Sequence, residues 1–172
     1  MQFVVARAAA EDAMSIDARF APARVRVPDF AYELAGAGQQ TLSRRGAPTL
    51  VVLYSLPQSA KRLAALGDAH YLTHANVAVV AIPFSPKDAA DNSLGSRTGA
   101  DVASVYAMFV RTRDRPMPAH AELLVDASGF LRARWIGVPA SDAKQNDAIA
   151  AAARQVSMRP TAPAAPTHRH AG

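Results

Sequence analysis

Three consecutive segments decide the fold: TLVVLYS at 49–55, PQSAKRLAALGDAHYLTHA at 57–75 and VAVVAIPF at 77–84. An unbroken apolar run rich in β-branched residues is typical of a strand that is buried on both faces, and the first and third segments have this character. The middle segment has a helical pattern that places Leu63 and Leu66 inward. Two core strands joined by a helix form a βαβ unit, so the sequence predicts an α/β fold.

The flanking sequence extends this unit into a central mixed β-sheet with helices on its faces and an N-terminal β extension. The predicted elements are a strand at 24–34, a turn at 35–40, a polar loop at 85–99, a helix at 101–112, a β-hairpin at 121–137 and a closing helix at 141–158. We expect a lead-in segment at 1–20, one domain at 21–158 and a disordered Pro- and His-bearing tail at 159–172.

Composition excludes several classes of function. The chain has 172 residues and no cysteine, which removes disulfides, thiol catalysis, iron–sulfur clusters and cysteine-ligated zinc. The net charge is +5, but the arginines are scattered apart from Arg111, Arg113 and Arg115, and 6% of the residues are aromatic. We therefore expect no nucleic-acid binding.

Membrane insertion and export signals are not expected either. No run of 18 apolar residues is present in the sequence. The first 20 residues carry Arg7, Glu11 and Asp12 where a signal peptide has its apolar run. A chain that is complete as written would therefore be cytoplasmic.

Two segments, RVPDFAYELAGAGQQTLSRRGAPTLVVLYS at 26–55 and HAELLVDASGFLRARWIG at 120–137, resemble the thioredoxin-like superfamily in its TlpA, peroxiredoxin (AhpC/TSA) and Sco branch. They resemble the opening and the later hairpin of that branch, and the resemblance implies a thioredoxin-like fold over residues 24–157. Residues 49–66 and 118–136 also resemble the thioredoxin-like extensions of CopD-type copper-resistance membrane proteins. This second resemblance implies a protein partner, a membrane copper-handling protein, on the periplasmic side.

The sequence departs from the redox members of the superfamily at the site of their cysteines, between the first central strand and its helix. Aligned on Pro57, which is retained, Leu56 stands at the position of the first cysteine, and Ser59 or Ala60 stands at the position of the second. Leucine and alanine cannot attack a disulfide or bind a metal. We therefore expect a redox-inactive module that acts by protein binding and is not an enzyme.

A Cu(I) site is the alternative function. Met117 and His120 offer a thioether and an imidazole, which suit Cu(I), in a region where Sco proteins carry their copper-binding histidine. A third ligand would come from the tail or from His70 and His74, which are four residues apart and can share one helix face. The structural alternative is that His120 hydrogen-bonds at the junction of loop and strand while Met117 fills a gap.

We expect structural roles for the remaining polar residues. Ser59 is expected at the start of its helix, where it serves backbone groups, and a role as nucleophile would need a base such as His120 to approach it in space. Glu122 alternates with Leu123 and is expected to face solvent or to lie near His120. Asp126 is expected to bond backbone N–H groups of its turn. Arg132 and Arg134 fit a solvated strand edge or a basic surface.

Overall fold

The computed structural model describes residues 25–34, 38–42, 46–91, 96–98, 100–111 and 115–157. Its strands are β1 (Ala31–Leu34), β2 (Gly38–Thr41), β3 (Thr49–Tyr54), β4 (Ala78–Pro83), β5 (Ser96–Thr98), β6 (His120–Val125) and β7 (Leu131–Ile136). Its helices are α1 (Ala60–Gly67), α2 (His70–His74), α3 (Ala100–Ala107) and α4 (Asp142–Ser157), with a 3-10 helix at Pro86–Asp91.

A four-stranded mixed sheet in the order β4-β3-β6-β7 forms the centre of the fold. β3 runs parallel to β4 and antiparallel to β6, which pairs with β7 as a hairpin. Every side chain of β3 and of β6 is buried, because these two inner strands have packed residues on both faces. The predicted βαβ unit, hairpin and closing helix are confirmed.

Each face of this sheet carries its own apolar core. Val51, Leu53 and Tyr106 belong to the core that includes α3 and the N-terminal strand residues. The opposite core contains residues of α1, α2 and α4. Leu63 and Leu66 of α1 are buried there, as the helical pattern predicts.

Three local predictions are wrong. The predicted helix at 57–75 is two helices, because the backbone leaves the helical conformation at Asp68 and Ala69. The predicted turn at 35–40 contains the start of β2, and the predicted loop at 85–99 contains the 3-10 helix and β5. β2 and β5 are polar strands that flank β1 in a small second sheet.

The segments 1–20 and 159–172, including His168 and His170, lie outside the described residues. Within the described part of the chain, no helix has the length and apolar character needed to cross a bilayer.

Candidate functional site

The turn between β3 and α1 stands where redox members of the resembled superfamily carry their cysteines. Pro57 and Gln58 are exposed, Leu56 is half-buried and its bond to Pro57 is cis. Ser59, by contrast, is completely buried. It precedes α1, but its side chain makes no capping hydrogen bond. Ser59 therefore stands at the helix start as expected, but its hydroxyl donates to the carbonyl oxygen of Ala119, at 3.0 Å, and does not cap the helix.

His120 lies next to this turn because β6 begins where the antiparallel β3 ends, with His120 opposite Tyr54. Its ring is fully buried. The Nδ1 atom is 3.1 Å from Oγ of Ser59, and the Nε2 atom is 3.1 Å from Oε1 of Glu122. Both ring nitrogens therefore lie within hydrogen-bond distance of protein groups.

Glu122 is surrounded by donors from three elements. Arg62 of α1 donates from Nε to Oε1 at 2.6 Å and from Nη2 to Oε2 at 3.2 Å. Gln145 of α4 donates from Nε2 to Oε2 at 3.0 Å. Glu122 is 1% exposed, so the expectation that it faces solvent is wrong, whereas the alternative that it lies near His120 is right.

The fixed charges explain why this carboxylate stays ionised inside the protein. Burial alone raises the pKa of Glu122, but hydrogen bonds from His120, Arg62 and Gln145, together with the positive charge of Arg62, lower that pKa to about 2. Arg62 also donates from Nη1 to Oδ1 of Asp142, at 3.1 Å, at the start of α4. The guanidinium thus connects α1, β6 and α4.

We call Ser59, Arg62, His120, Glu122 and Gln145 the buried polar cluster. It places a hydroxyl, an imidazole and a carboxylate in a row, the order of groups in a nucleophilic triad. A nucleophile also needs space for the atom it attacks, about 3 Å away. Ser59 has no exposed surface and its hydroxyl already bonds to Ala119, so in this arrangement the cluster connects α1, β6 and α4.

The candidate metal ligands differ in their exposure and in the elements that carry them. Met117 is exposed in the loop before β6, and His74 is exposed at the end of α2. The placement of the His70 side chain lies outside what the structure describes. A copper ion could bind a nitrogen of His120 only by displacing Ser59 or Glu122. Among the described residues, no group of three or more His, Cys, Asp or Glu is arranged to hold a metal ion.

The residues of the hairpin have mainly structural contacts. Oδ1 of Asp126 accepts hydrogen bonds from the backbone of Ser128 and Phe130, and Arg132 pairs with its other oxygen. Arg134 donates from Nη1 to the carbonyl oxygen of Phe109 at 2.9 Å.

Sequence reasoning missed two members of the buried polar cluster, Arg62 and Gln145. One signal was available. An acidic residue in a strand between Leu123 and Ala121 is buried if that strand is central, and a buried carboxylate needs a cation or several donors. Arg62, next to the inward Leu63, was the candidate cation. It lies far from Glu122 in the sequence, so the pair was not predicted.

No protein-family model matches the chain, and no curated protein matches it in sequence. Solved structures do match. The peroxidoxin BcpB of Mycobacterium tuberculosis is 19% identical with a TM-score of 0.55, covering 78% of this chain and 96% of that one. Thioredoxin peroxidase I of Plasmodium yoelii is 13% identical with a TM-score of 0.57, covering 87% and 99%.

A thio-disulfide isomerase of Thermus thermophilus is similar as well, at 17% identity and a TM-score of 0.50, covering 74% of this chain and 94% of that one. At these sequence identities the similarity concerns the fold, and the activities of those proteins cannot be assigned to this chain. The expected mixed sheet flanked by helices is present, and the chain has the thioredoxin-like fold.

Proposed function

We propose that this chain is a non-catalytic thioredoxin-like module that acts by binding a protein partner. The supporting observation is that the residues at the cysteine positions of the redox members are either chemically inert or buried. Leu56 and Ala60 are inert there, and Ser59 is the buried end of a hydrogen-bonded network. A scaffold that keeps its fold while its reactive position is closed can still present a surface to another protein.

The partner to test first is a membrane copper-handling protein on the periplasmic side. This choice rests on the resemblance of residues 49–66 and 118–136 to the thioredoxin-like extensions of CopD-type proteins. A module attached to or bound by such a protein would assist it by contact and would not need a reactive group of its own.

Ser59→Ala separates this function from an enzymatic one. In a strain that lacks the gene, grown with and without copper stress, we expect the variant to rescue the deletion phenotype as well as the unchanged chain. The hydroxyl makes one buried and one partly buried hydrogen bond, so its loss is expected to cost about 1–3 kcal/mol of folding free energy without unfolding the protein. Ser157→Ala, on the exposed end of α4, is the matched control. Loss of rescue at a normal protein level would refute the non-catalytic proposal.

A Cu(I)-binding function through Met117 and His120 is the competing proposal, and an anaerobic titration against a chromophoric chelator tests it. We expect no stoichiometric Cu(I) site that depends on both residues, because both nitrogens of His120 are engaged inside the protein. The titration compares the intact chain with Met117→Ala, with His120→Ala and with a chain that ends at Met158. One equivalent of Cu(I), bound tightly and lost in both point variants, would establish the copper function instead.

A further inference from the structure

The large apolar side chains that are exposed in the described part of the chain are concentrated in a few segments. They are Met108 at 67% exposure, Met117 at 40%, Ile136 at 40% and Val138 at 47%. Two of them stand in the connection from α3 to β6, and two stand at the end of β7. Exposed apolar side chains that gather in one region mark interaction sites more often than scattered ones do.

Backbone and side-chain contacts bring these segments together. Arg134 of β7 holds the carbonyl oxygen of Phe109, the residue after Met108, at 2.9 Å. The backbone N–H of Gly137, between Ile136 and Val138, donates to the carbonyl oxygen of His120 at 2.8 Å. The segment 136–138 therefore lies beside the start of β6 and the loop that carries Met117, and Arg134 connects the segment 108–111 to β7.

The charged side chains that the structure describes in these segments have one sign. They are Arg111 and Arg115, which are both exposed, while Arg113 and Asp114 between them lie outside the described residues. We call Met108, Arg111, Arg115, Met117, Ile136 and Val138 the methionine–arginine surface. Methionine and arginine are both enriched in protein interfaces, whereas lysine, glutamate and aspartate are depleted there.

We propose that the methionine–arginine surface binds an acidic polypeptide segment that carries aliphatic side chains. The proposal rests on the function proposed above and names the chemistry of its partner. The arginines attract carboxylates and set the orientation of the segment, while the flexible methionines and the two aliphatic residues of β7 adapt to its apolar side chains.

Two other occupants fit this surface less well. A second copy of the chain would bring the same arginines to the interface and no described carboxylate to pair with them, and uncompensated like charges in an interface are costly. An anionic bilayer is usually bound by a cluster of about four to eight lysines or arginines, with tryptophan or tyrosine at the interface. The surface has two arginines and neither of these aromatic residues, and the single tryptophan of the chain, Trp135, is buried.

Peptide titrations of the full-length, nitrogen-15-labelled chain followed by NMR test the proposal. The probes are a short peptide of Asp, Glu, Leu and Ser, a matched peptide with Lys in place of the acidic residues, and a matched peptide with Ser in place of Leu. We expect the first peptide to bind about tenfold or more tightly than the other two, with shifted amide signals confined to the methionine–arginine surface.

Charge-reversal variants provide a second test of the proposal. Arg111→Glu combined with Arg115→Glu is expected to weaken binding of the acidic peptide by about tenfold or more and to strengthen that of the basic one. Arg154→Glu, an exposed arginine of α4, makes the same kind of change elsewhere and is the control. Equal binding of the acidic and basic peptides, signals shifted at another surface, or arginine-dependent binding to phosphatidylglycerol vesicles without peptide binding would overturn the proposal.

The rescue assay separates this proposal from the one on which it rests. If Ser59→Ala rescues the deletion strain and the double arginine variant does not, both proposals are supported. If both variants rescue it, the methionine–arginine surface is not the binding site, while the non-catalytic function stands. If Ser59→Ala fails, the function itself is wrong, whatever the peptides do.

Discussion

Glu122→Gln is expected to lower the free energy of unfolding by about 3 kcal/mol, because it breaks a buried ion pair and leaves Arg62 with Asp142, a partly exposed carboxylate, as its partner. The glutamine has nearly the same shape, but it cannot neutralise Arg62, whose side chain is completely buried. It also offers one acceptor oxygen to the donors that now share two. Urea unfolding followed by circular dichroism measures the change. Glu33→Gln, at an exposed position of β1, is the control and should be nearly neutral.

A double-mutant cycle shows whether the loss belongs to the ion pair. Arg62→Met removes the cation and keeps much of its apolar length, so Glu122→Gln should cost less in that background than in the unchanged chain. We expect a coupling free energy of about 1–3 kcal/mol between the two positions. Simple additivity would mean that the carboxylate and the guanidinium do not stabilise each other in the folded protein.

Acid is expected to remove the same stabilisation without a mutation. The pKa of Glu122 is about 2 in the folded protein and 4.5 for an ordinary glutamate, so the fold favours the ionised form. The resulting stabilisation is fully present above about pH 4.5 and is lost as the pH falls toward 2. The difference in pKa corresponds to about 3 kcal/mol.

Unfolding free energies measured between neutral pH and pH 2.5 test this expectation. The unchanged chain should lose stability more steeply below pH 4.5 than Glu122→Gln does, because the variant lacks the titrating group. Parallel curves for the two proteins would show that another carboxyl controls the acid sensitivity.

The sequence was sufficient to predict the strands and turns whose apolar pattern is strong. β3 and β4 are continuous apolar runs, and the hairpin has its Asp-Ala-Ser-Gly turn, so local pattern and tertiary packing agree there. β5 was missed because Ser-Arg-Thr has no strand pattern of its own. Its strand conformation comes from pairing with β1.

The buried polar cluster was only partly predictable for a related reason. Alternation along β6 suggested that Glu122 faces water while Leu123 faces the core. That inference holds for a sheet with one covered face, but β6 lies between β3 and β7 and is covered on both. Arg62 and Gln145 could not be assigned to Glu122, since nothing in the local sequence states which helix packs over which strand.

Our central proposal is that a closed, structural cluster, and not a reaction centre, occupies the position where redox members of the superfamily carry their cysteines. Limited modification of the folded protein with diethylpyrocarbonate, read out by peptide mass spectrometry, tests it most directly, because the reagent must reach an imidazole to acylate it. His74 is exposed and should be modified, whereas His120 is completely buried and should remain unmodified until the protein is unfolded in urea. Modification of His120 at the rate of His74 in the folded protein would show that the cluster opens to solvent, and would contradict the claim.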